Sequence, residues 1–408
     1  MTRATAGRAL LLGVLAAAWA GAAWSLWQSR VPGSLHLPRL DEHDYFTAAQ
    51  LRASASFSRV EVLIWLFGVV VQVVVLALYA WRGHRFMRES AAGPIGSGML
   101  LGMLGFAILW LAEVPVSVLE LWWQRRHDLS SIGYVEYVFG NWFALGGEFV
   151  FLCLALLIVM GFARLLGERW WLPAAPVFVG IALLFAFVYP YLTPTHRLDD
   201  PRLRATAQRF EKIEHVEHTP VVVEDVRDVT SLPNAEAMGV GPSTRVVLWD
   251  TLVYGPYTYR ELEVVLAHEL GHLSRNHIWK AIGWYALFAF PGAFLIAQAV
   301  RRRGGMAQPE AVPLSLLVLI VLSLLATPIE NVISRHREAE ADWMSLLTTR
   351  DPAAMKQLFR DFVPATLSDP NPGTFEYVAL ETHPTIMQRI EMAEAWRLRY
   401  ATSAAQSP

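Results

Sequence analysis

The chain contains one cysteine, Cys153, in 408 residues. A lone thiol excludes an intramolecular disulfide and any cysteine-rich metal site, so histidines and carboxylates would have to hold a bound metal. Charge is also scarce. Asp, Glu, Lys and Arg make up 17% of the residues, and almost all of the basic ones are arginine. A net charge of −2 offers no basic field of the kind nucleic acid demands, so no nucleic-acid partner is expected. The chain is instead rich in apolar side chains: 54% hydrophobic, with 16 Trp and 20 Phe, too greasy for an ordinary soluble enzyme.

The apolar residues gather into seven runs of bilayer-crossing length, at about 9–28, 60–81, 98–121, 142–162, 172–192, 278–300 and 312–333. Trp81-Arg82, Trp122-Trp123-Gln124-Arg125 and Arg169-Trp170-Trp171 flank them as the aromatic and cationic belt of a membrane interface. The first run follows Arg3 and Arg8 and passes Ala20-Gly21-Ala22, which resembles a signal-peptide cleavage site. It continues through Trp24, Leu26 and Trp27, so an uncleaved anchor is the expectation. Glu113, Glu120, Glu148 and Glu330 lie inside apolar runs, where a carboxylate either lines a polar cavity or pairs one helix with another. The expected fold is a mostly α, polytopic membrane protein of about seven transmembrane helices, enclosing or capping a water-facing domain with a small β-sheet.

Two stretches are polar enough to fold in water. The first opens with an amphipathic helix at 201–213, continues through β-like segments at 220–226 and 245–249 separated by the turn-rich SLPNAEAMGVGPST, and ends in a helix that begins near Tyr259 and runs toward the sixth span. The second follows the seventh run. The expected organisation is a membrane domain of five spans at 1–192, a water-facing subdomain at 193–277, two further spans at 278–333 and a C-terminal water-facing subdomain at 334–408. Two spans separate the polar stretches, so both lie on the same side of the membrane and can build one site.

The chemistry is concentrated in VVLAHELGHLSRNH. His268 and His272 are four residues apart and share one helical face, so both imidazoles can reach one metal ion. Glu269 projects beside them, where it can take a proton from a water on the metal. H-E-x-x-H is a zinc-metalloprotease signature. Gly271 admits close approach of another backbone. A catalytic zinc takes three protein ligands and keeps one position open. The third can come from Glu338 in SRHREAEADW, while Asp342, again four residues on, can hold a ligand histidine through its other ring nitrogen. Glu340, on another face, reads as a charged and solvated helix end, and His277 as a structural helix-end histidine. His215 and His218, in a β-like stretch with no third ligand, are not read as a second metal pair.

HELGHLSRNH, SRHREAEAD and HPTIMQR together resemble the integral-membrane CAAX prenyl endopeptidases, zinc proteases with seven spans whose motifs run HELGHW-x-x-x-H, SR-x-x-E-x-x-AD and HP-x-x-x-x-R. SLPNAEAMGVGPSTRVVLWDTLV is similar to the same family's Asn-Ala…Gly…strand…Asp-Thr-Leu segment. The resemblance implies one Zn2+ per chain on His268, His272 and Glu338, Glu269 as the general base, and Asp342 as the carboxylate behind a ligand. It gives His383 and Arg389 the task of polarising the scissile carbonyl or holding substrate. The chain departs from the family's pattern at Leu273, at Glu236 and along QRRHDLSS; none of these is a metal donor, and all bear on substrate.

The cycle that follows is hydrolysis of a peptide bond by water on zinc, with Glu269 taking the proton and passing it to the leaving amine. The expected partners are the lipid bilayer and membrane-associated or C-terminal peptide substrates, possibly prenylated. Substrate is expected as an added strand against Val246, Val247 and Leu248, with Asn234 as a further contact. Arginines in short loops are more numerous on the side opposite the catalytic stretches, which by the positive-inside rule points to an external site. The resemblance implies a cytosolic one, on the inner membrane if the source is bacterial, and that is the expectation adopted. Two rival readings are an inactive zinc-binding membrane chaperone and a seven-span transporter with an incidental HELGH. Intact Glu269 speaks against the first, and the placement of Glu338 and Asp342 against the second.

Overall fold

In a bilayer an apolar run can satisfy its own backbone only as a helix. The computed structural model describes residues 3–86, 92–140 and 142–404, and every one of the apolar runs is helical. The N-terminal part supplies α1 (Arg3–Trp27), α2 (Ala48–Arg82), α3 (Gly93–Arg126), the short α4 (Tyr134–Phe139), α5 (Trp142–Leu166) and α6 (Trp171–Leu192). After them come β1 (His196–Arg197), α7 (Pro201–Glu214), β2 (Val221–Glu224), β3 (Ala235–Met238), β4 (Arg245–Trp249), α8 (Asp250–Val253) and α9 (Tyr259–Ser274). The chain finishes with α10 (His277–Val300), α11 (Val312–Thr349), α12 (Pro352–Thr366), α13 (Thr374–Ala379) and α14 (Ile386–Ala404). Among the described residues six helices are long and apolar enough to cross a membrane, and the expected seventh, α1, has the shorter apolar stretch Gly13–Trp27. It packs on α10, where the Trp19 indole donates to the Leu287 carbonyl at 3.2 Å.

The intramembrane carboxylates divide between partners. Gln72 of α2 donates to Glu113 of α3 at 3.0 Å, a helix-to-helix pairing, whereas Glu120 accepts from Gln124 of its own helix at 3.4 Å. Glu148 and Glu330 are exposed.

The water-facing domain begins at α7, where Asp200 caps the helix by accepting from Arg202 N at 2.7 Å and Leu203 N at 3.0 Å. Such a cap stabilises a helix by ~1 kcal/mol. Its apolar face buries Leu203, Ala207 and Phe210 in the main core, together with Val246, Leu248, Leu266, Leu270 and Phe359. Fully burying each large aliphatic side chain is worth roughly 1.5–3 kcal/mol. The four-stranded sheet has the order β1-β2-β4-β3, with β2 parallel to β4 and both outer pairings antiparallel.

Two elements differ from the sequence reading. The turn-rich segment between the expected strands contains β3, a strand on the sheet's edge. And β4 is interior, paired with β2 through Val247↔Val222 and with β3 through Val247↔Glu236. The membrane and water-facing parts are stitched together just before β3. The chain leaving α3 bridges Ser130 to Thr230; Ser131 N and Ser130 Oγ each donate to the Val229 carbonyl at 3.1 Å, and Thr230 Oγ1 donates to the Leu129 carbonyl at 2.8 Å.

The helix α9 starts at a capping box, in which Glu261 Oε2 accepts from Thr258 N at 2.7 Å and Thr258 Oγ1 accepts from Glu261 N at 3.4 Å. It does not run on into the sixth span. Asn276 adopts φ 54° and breaks the path, so α10 leaves in a new direction from His277. By contrast α11 is one unbroken helix of 38 residues, so the expected boundary at 333/334 falls inside it. The same helix carries the last span and, at its C-terminal end, the EAEAD segment.

Candidate metal centre

The site forms where α9 lies along α11. Gly271 permits the contact: a Cβ there would sit 3.0 Å from Met344 Cβ and 3.5 Å from the Ala341 carbonyl oxygen. At this distance α9 presents His268 and His272 to Glu338 of α11. His268 Nε2 lies 3.0 Å from His272 Nε2 and 3.2 Å from Glu338 Oε2, and His272 Nε2 lies 3.5 Å from Glu338 Oε1. Four tetrahedral ligands at the usual 2.0–2.2 Å bond lengths would be separated by roughly 3.3–3.6 Å. The two imidazole nitrogens and the Glu338 carboxylate are therefore spaced to surround one small dication, and among the described residues this is the one group of three or more such donors that converges.

Each of the two histidines is held from behind. Asp342 Oδ1 lies 2.9 Å from His268 Nδ1, which leaves Nε2 facing His272 and Glu338. Burial alone would lower the His268 imidazole, but the Asp342 and Glu338 carboxylates overcome it and push the group up to about 10. That strength of attraction for a proton is what a cation of higher charge would exploit. Arg389 of α14 grips Asp342 in turn, Nε to Oδ2 at 2.7 Å and Nη2 to Oδ1 at 2.6 Å, with its guanidinium 4.1 Å above the Phe359 ring. The expectation from the sequence is that Arg389 polarises the scissile carbonyl or holds substrate; in the structure its Nε and Nη2 donate to Asp342, and its side chain also lines a cavity shared with Glu269. His383 is half exposed, with Nε2 3.2 Å from Glu338 Oε2 and Nδ1 3.0 Å from Thr382 Oγ1.

His272 is held by His277, their Nδ1 atoms 2.9 Å apart, and His277 Nε2 lies 3.0 Å from Glu340 Oε2. Glu340 is therefore no solvated helix end. It is fully buried, and it also accepts from Arg275 Nε at 2.9 Å, Lys280 Nζ at 3.0 Å and the Arg30 backbone N–H at 2.7 Å. Its only signal in the sequence is the run of basic residues Arg275, His277 and Lys280 across the α9–α10 break.

Glu269, buried like His268, lines with it a small cavity of about 90 Å3. Leu252, Val265, Leu358 and Phe362 form its apolar wall. Pro233, Asn234 and Ala235 line the same cavity, which brings the start of β3 to the metal centre. The substrate contacts expected on β4 are misplaced: Val246, Val247 and Leu248 are buried, and both edges of their strand are already paired. Asn234, by contrast, is exposed beside the cavity, and its carbonyl accepts from Trp249 N at 3.0 Å. Glu236 is part of β3, and burial, then the Glu224 and Glu269 carboxylates, raise its carboxyl above the usual range. The approach to β3 is braced by Asp250, which accepts from Val226 N at 3.0 Å and Arg227 Nε at 2.6 Å, and by Thr251 Oγ1, which donates to the Leu232 carbonyl at 2.7 Å.

Comparison with known proteins agrees with this geometry. Residues 197–397 match the model of peptidase family M48, a metalloprotease family, which implies a metal at the site. Over 242 residues the chain is 28% identical to the uncharacterized metalloprotease YhfN of Bacillus subtilis, a match covering 56% of this chain and 57% of that one. It is 32% identical over 187 residues to a Protease HtpX homolog of Leuconostoc citreum, covering 40% and 63%. With the CAAX prenyl protease 1 homolog of Arabidopsis thaliana it shares 27% over 230 residues, covering 52% of each. The chain thus spans little more than half the length of two of these three relatives. The crystal structure of S. mikatae Ste24p superposes with a TM-score of 0.75 at 17% identity, covering 93% of this chain and 96% of that one, and so shares the fold.

Proposed function

We propose, from the match of residues 197–397 to peptidase family M48, that the chain is a member of that family and a membrane-embedded zinc metalloendopeptidase acting on membrane-associated polypeptides, prenylated C-terminal peptides among them. The observation that carries this reading is the convergence of His268, His272 and Glu338 donor atoms within 4.8 Å of one another. Zinc held there would supply a Lewis acid and lower the pKa of water toward neutrality. Glu269, on the same helix one residue after His268, is the general base: it takes the proton of the attacking water and passes it to the leaving amine. His383, half exposed at the site with its Nε2 3.2 Å from Glu338 Oε2, is the group that turns to donate toward the oxyanion developing on the scissile carbonyl. Arg389 acts at one remove, by holding Asp342 and through it His268.

Substrate pairs with the free edge of β3. Trp249 N donates to Asn234 O, so by the alternation of an antiparallel ladder Glu236 bonds inward to Val247, while Ala235 and Ala237 turn their N–H and C=O outward. An extended peptide added there lies beside Asn234 and can place an apolar side chain in the cavity walled by Leu252 and Phe362. The active site faces the cytosol, on the inner membrane in a bacterium; a topology reporter fused after residue 408 checks the side. The activity is tested by reconstituting the purified chain with zinc in liposomes and following cleavage of a membrane-inserted polypeptide and a farnesylated peptide. Glu269→Gln should keep zinc and lose at least ~10²-fold in turnover, and unchanged cleavage by that variant refutes the reading. The two substrates, compared side by side, decide the lipid requirement.

A further inference from the structure

We propose that His277 is a positioning residue for the metal centre. It holds His272 in the one tautomer that leaves Nε2 free for the metal, and the buried carboxylate of Glu340 fixes His277 in that role. The inference rests on His268, His272 and Glu338 being the metal ligands.

The hydrogen-bond chain admits a single assignment. The two Nδ1 atoms, 2.9 Å apart, share one proton between them. His272 Nε2 faces the other donor atoms, at 3.0 Å from His268 Nε2 and 3.5 Å from Glu338 Oε1, so as a ligand it is unprotonated. A neutral imidazole then carries its proton on Nδ1, and His272 donates to His277. With its Nδ1 accepting, His277 bears its own proton on Nε2, which points at Glu340 Oε2 at 3.0 Å, and an ionised carboxylate can only accept. Reversing any one step leaves two donors or two acceptors facing each other inside a buried cluster, which costs about 1–3 kcal/mol. The two ligand histidines are thus set by different devices: Asp342 acts on His268 directly, and Glu340 acts on His272 through an intervening ring.

Glu340 is equipped for this. It is fully buried, yet Arg275, Lys280 and the Arg30 backbone N–H supply three further donors that keep its charge compensated. Those donors come from the end of α9, the start of α10 and the chain leaving α1. The exit of α1 is held there a second time, where Trp27 stacks on His336 of α11 at 4.0 Å between ring centroids. The orientation of one ligand is consequently tied to the junction of α1, α10 and α11.

The test is zinc affinity, measured on the full chain in detergent, stripped of metal and titrated with Zn2+ against a chromophoric chelator. His277→Phe keeps the ring volume but offers no acceptor, and zinc should bind about 10- to 100-fold more weakly. His277→Gln restores an acceptor for His272 and a donor for Glu340, and should return affinity to within about threefold of the parent chain. The metal-free melting temperature is followed alongside. A residue that merely packs would lower that temperature in His277→Phe and leave affinity alone. Affinity in His277→Phe equal to the parent's, or His277→Gln as weak as His277→Phe, overturns the proposal. If His277→Phe does not accumulate in folded form, Glu340→Gln decides: affinity should fall several-fold, and no change overturns the proposal. A parent chain that takes up no zinc at all would instead refute the metal reading beneath it.

Discussion

Arg389 and Asp342 form a two-point ion pair, at 2.7 and 2.6 Å, and the Asp342 oxygen at 2.6 Å also meets His268 Nδ1 at 2.9 Å. The pair is buried, Asp342 almost completely, so neither partner can turn to water when the other is lost. Arg389→Ala should therefore destabilise the fold by about 3–5 kcal/mol, the usual cost of stranding a buried charge, and weaken metal binding because His268 loses its anchor. Arg389→Lys keeps the charge but not the fork, and should fall between the two. Denaturant unfolding in detergent, with metal content measured on the same samples, checks both. Were Arg389 a substrate contact instead, Arg389→Ala would raise KM and leave stability and metal content untouched.

The free edge of β3 makes a separable prediction. Ala237→Pro removes one outward N–H and spares the ladder to β4, so the fold and the metal content should hold while KM rises about tenfold, the worth of one hydrogen bond. Glu236→Pro removes an inward N–H and should instead destabilise the sheet. Equal kinetics for the parent and Ala237→Pro would place the substrate elsewhere.

The legible and illegible parts of this protein divide along physical lines. His268, His272, Glu338 and Asp342 could be read because helical spacing puts residues four apart on one face, and because two intervening spans return the chain to the same side of the membrane. β3 could not be read from Ala-Glu-Ala-Met, which lacks the β-branched and aromatic residues that favour strands; its conformation is imposed by pairing with β4. Substrate was assigned to β4 for the converse reason, since Arg-Val-Val-Leu-Trp has every local mark of a strand and none that tells centre from edge. Glu340 lies about 200° around the helix from Glu338, a direction that usually means solvent. Here it means the α9–α10 junction, and only the tertiary structure supplies Arg275 and Lys280 there.

Gly271 sets the distance between the two halves of the metal centre. Gly271→Ala brings a Cβ within 3.0 Å of Met344 Cβ, and Gly271→Val adds two methyl groups at the same contact. Overpacking of this kind typically costs about 1–3 kcal/mol. The more specific expectation concerns Glu338, which moves away from the histidines as α11 is pushed off α9. Metal affinity should fall in the order Gly, Ala, Val, faster than zinc-free stability does, in a chelator competition run on all three proteins. Stability falling alone would mean that the contact packs the core without gauging the site.

Glu381 gives the fold a dependence on pH near neutrality. Burial pushes its carboxyl from 4.5 up to about 7, Glu376 and Asp369 add to the rise, and Arg335 opposes it. Arg335 stands over this turn, its Nη1 donating to the Tyr377 carbonyl at 2.7 Å and to the Glu381 carbonyl. A carboxyl that is harder to ionise in the folded state favours the fold while protonated. Its contribution is complete below about pH 4.5 and is lost as pH rises through about 7. Glu381→Gln stays neutral throughout, so it should match the parent at about pH 4.5 and exceed it at about pH 8 by roughly 3 kcal/mol, from 1.36 kcal/mol per pKa unit. Unfolding free energies of both proteins across that range check the crossover. A difference that stays constant with pH would mean that Glu381 does not titrate in the fold, and an advantage confined to acid would reverse the sign of its burial.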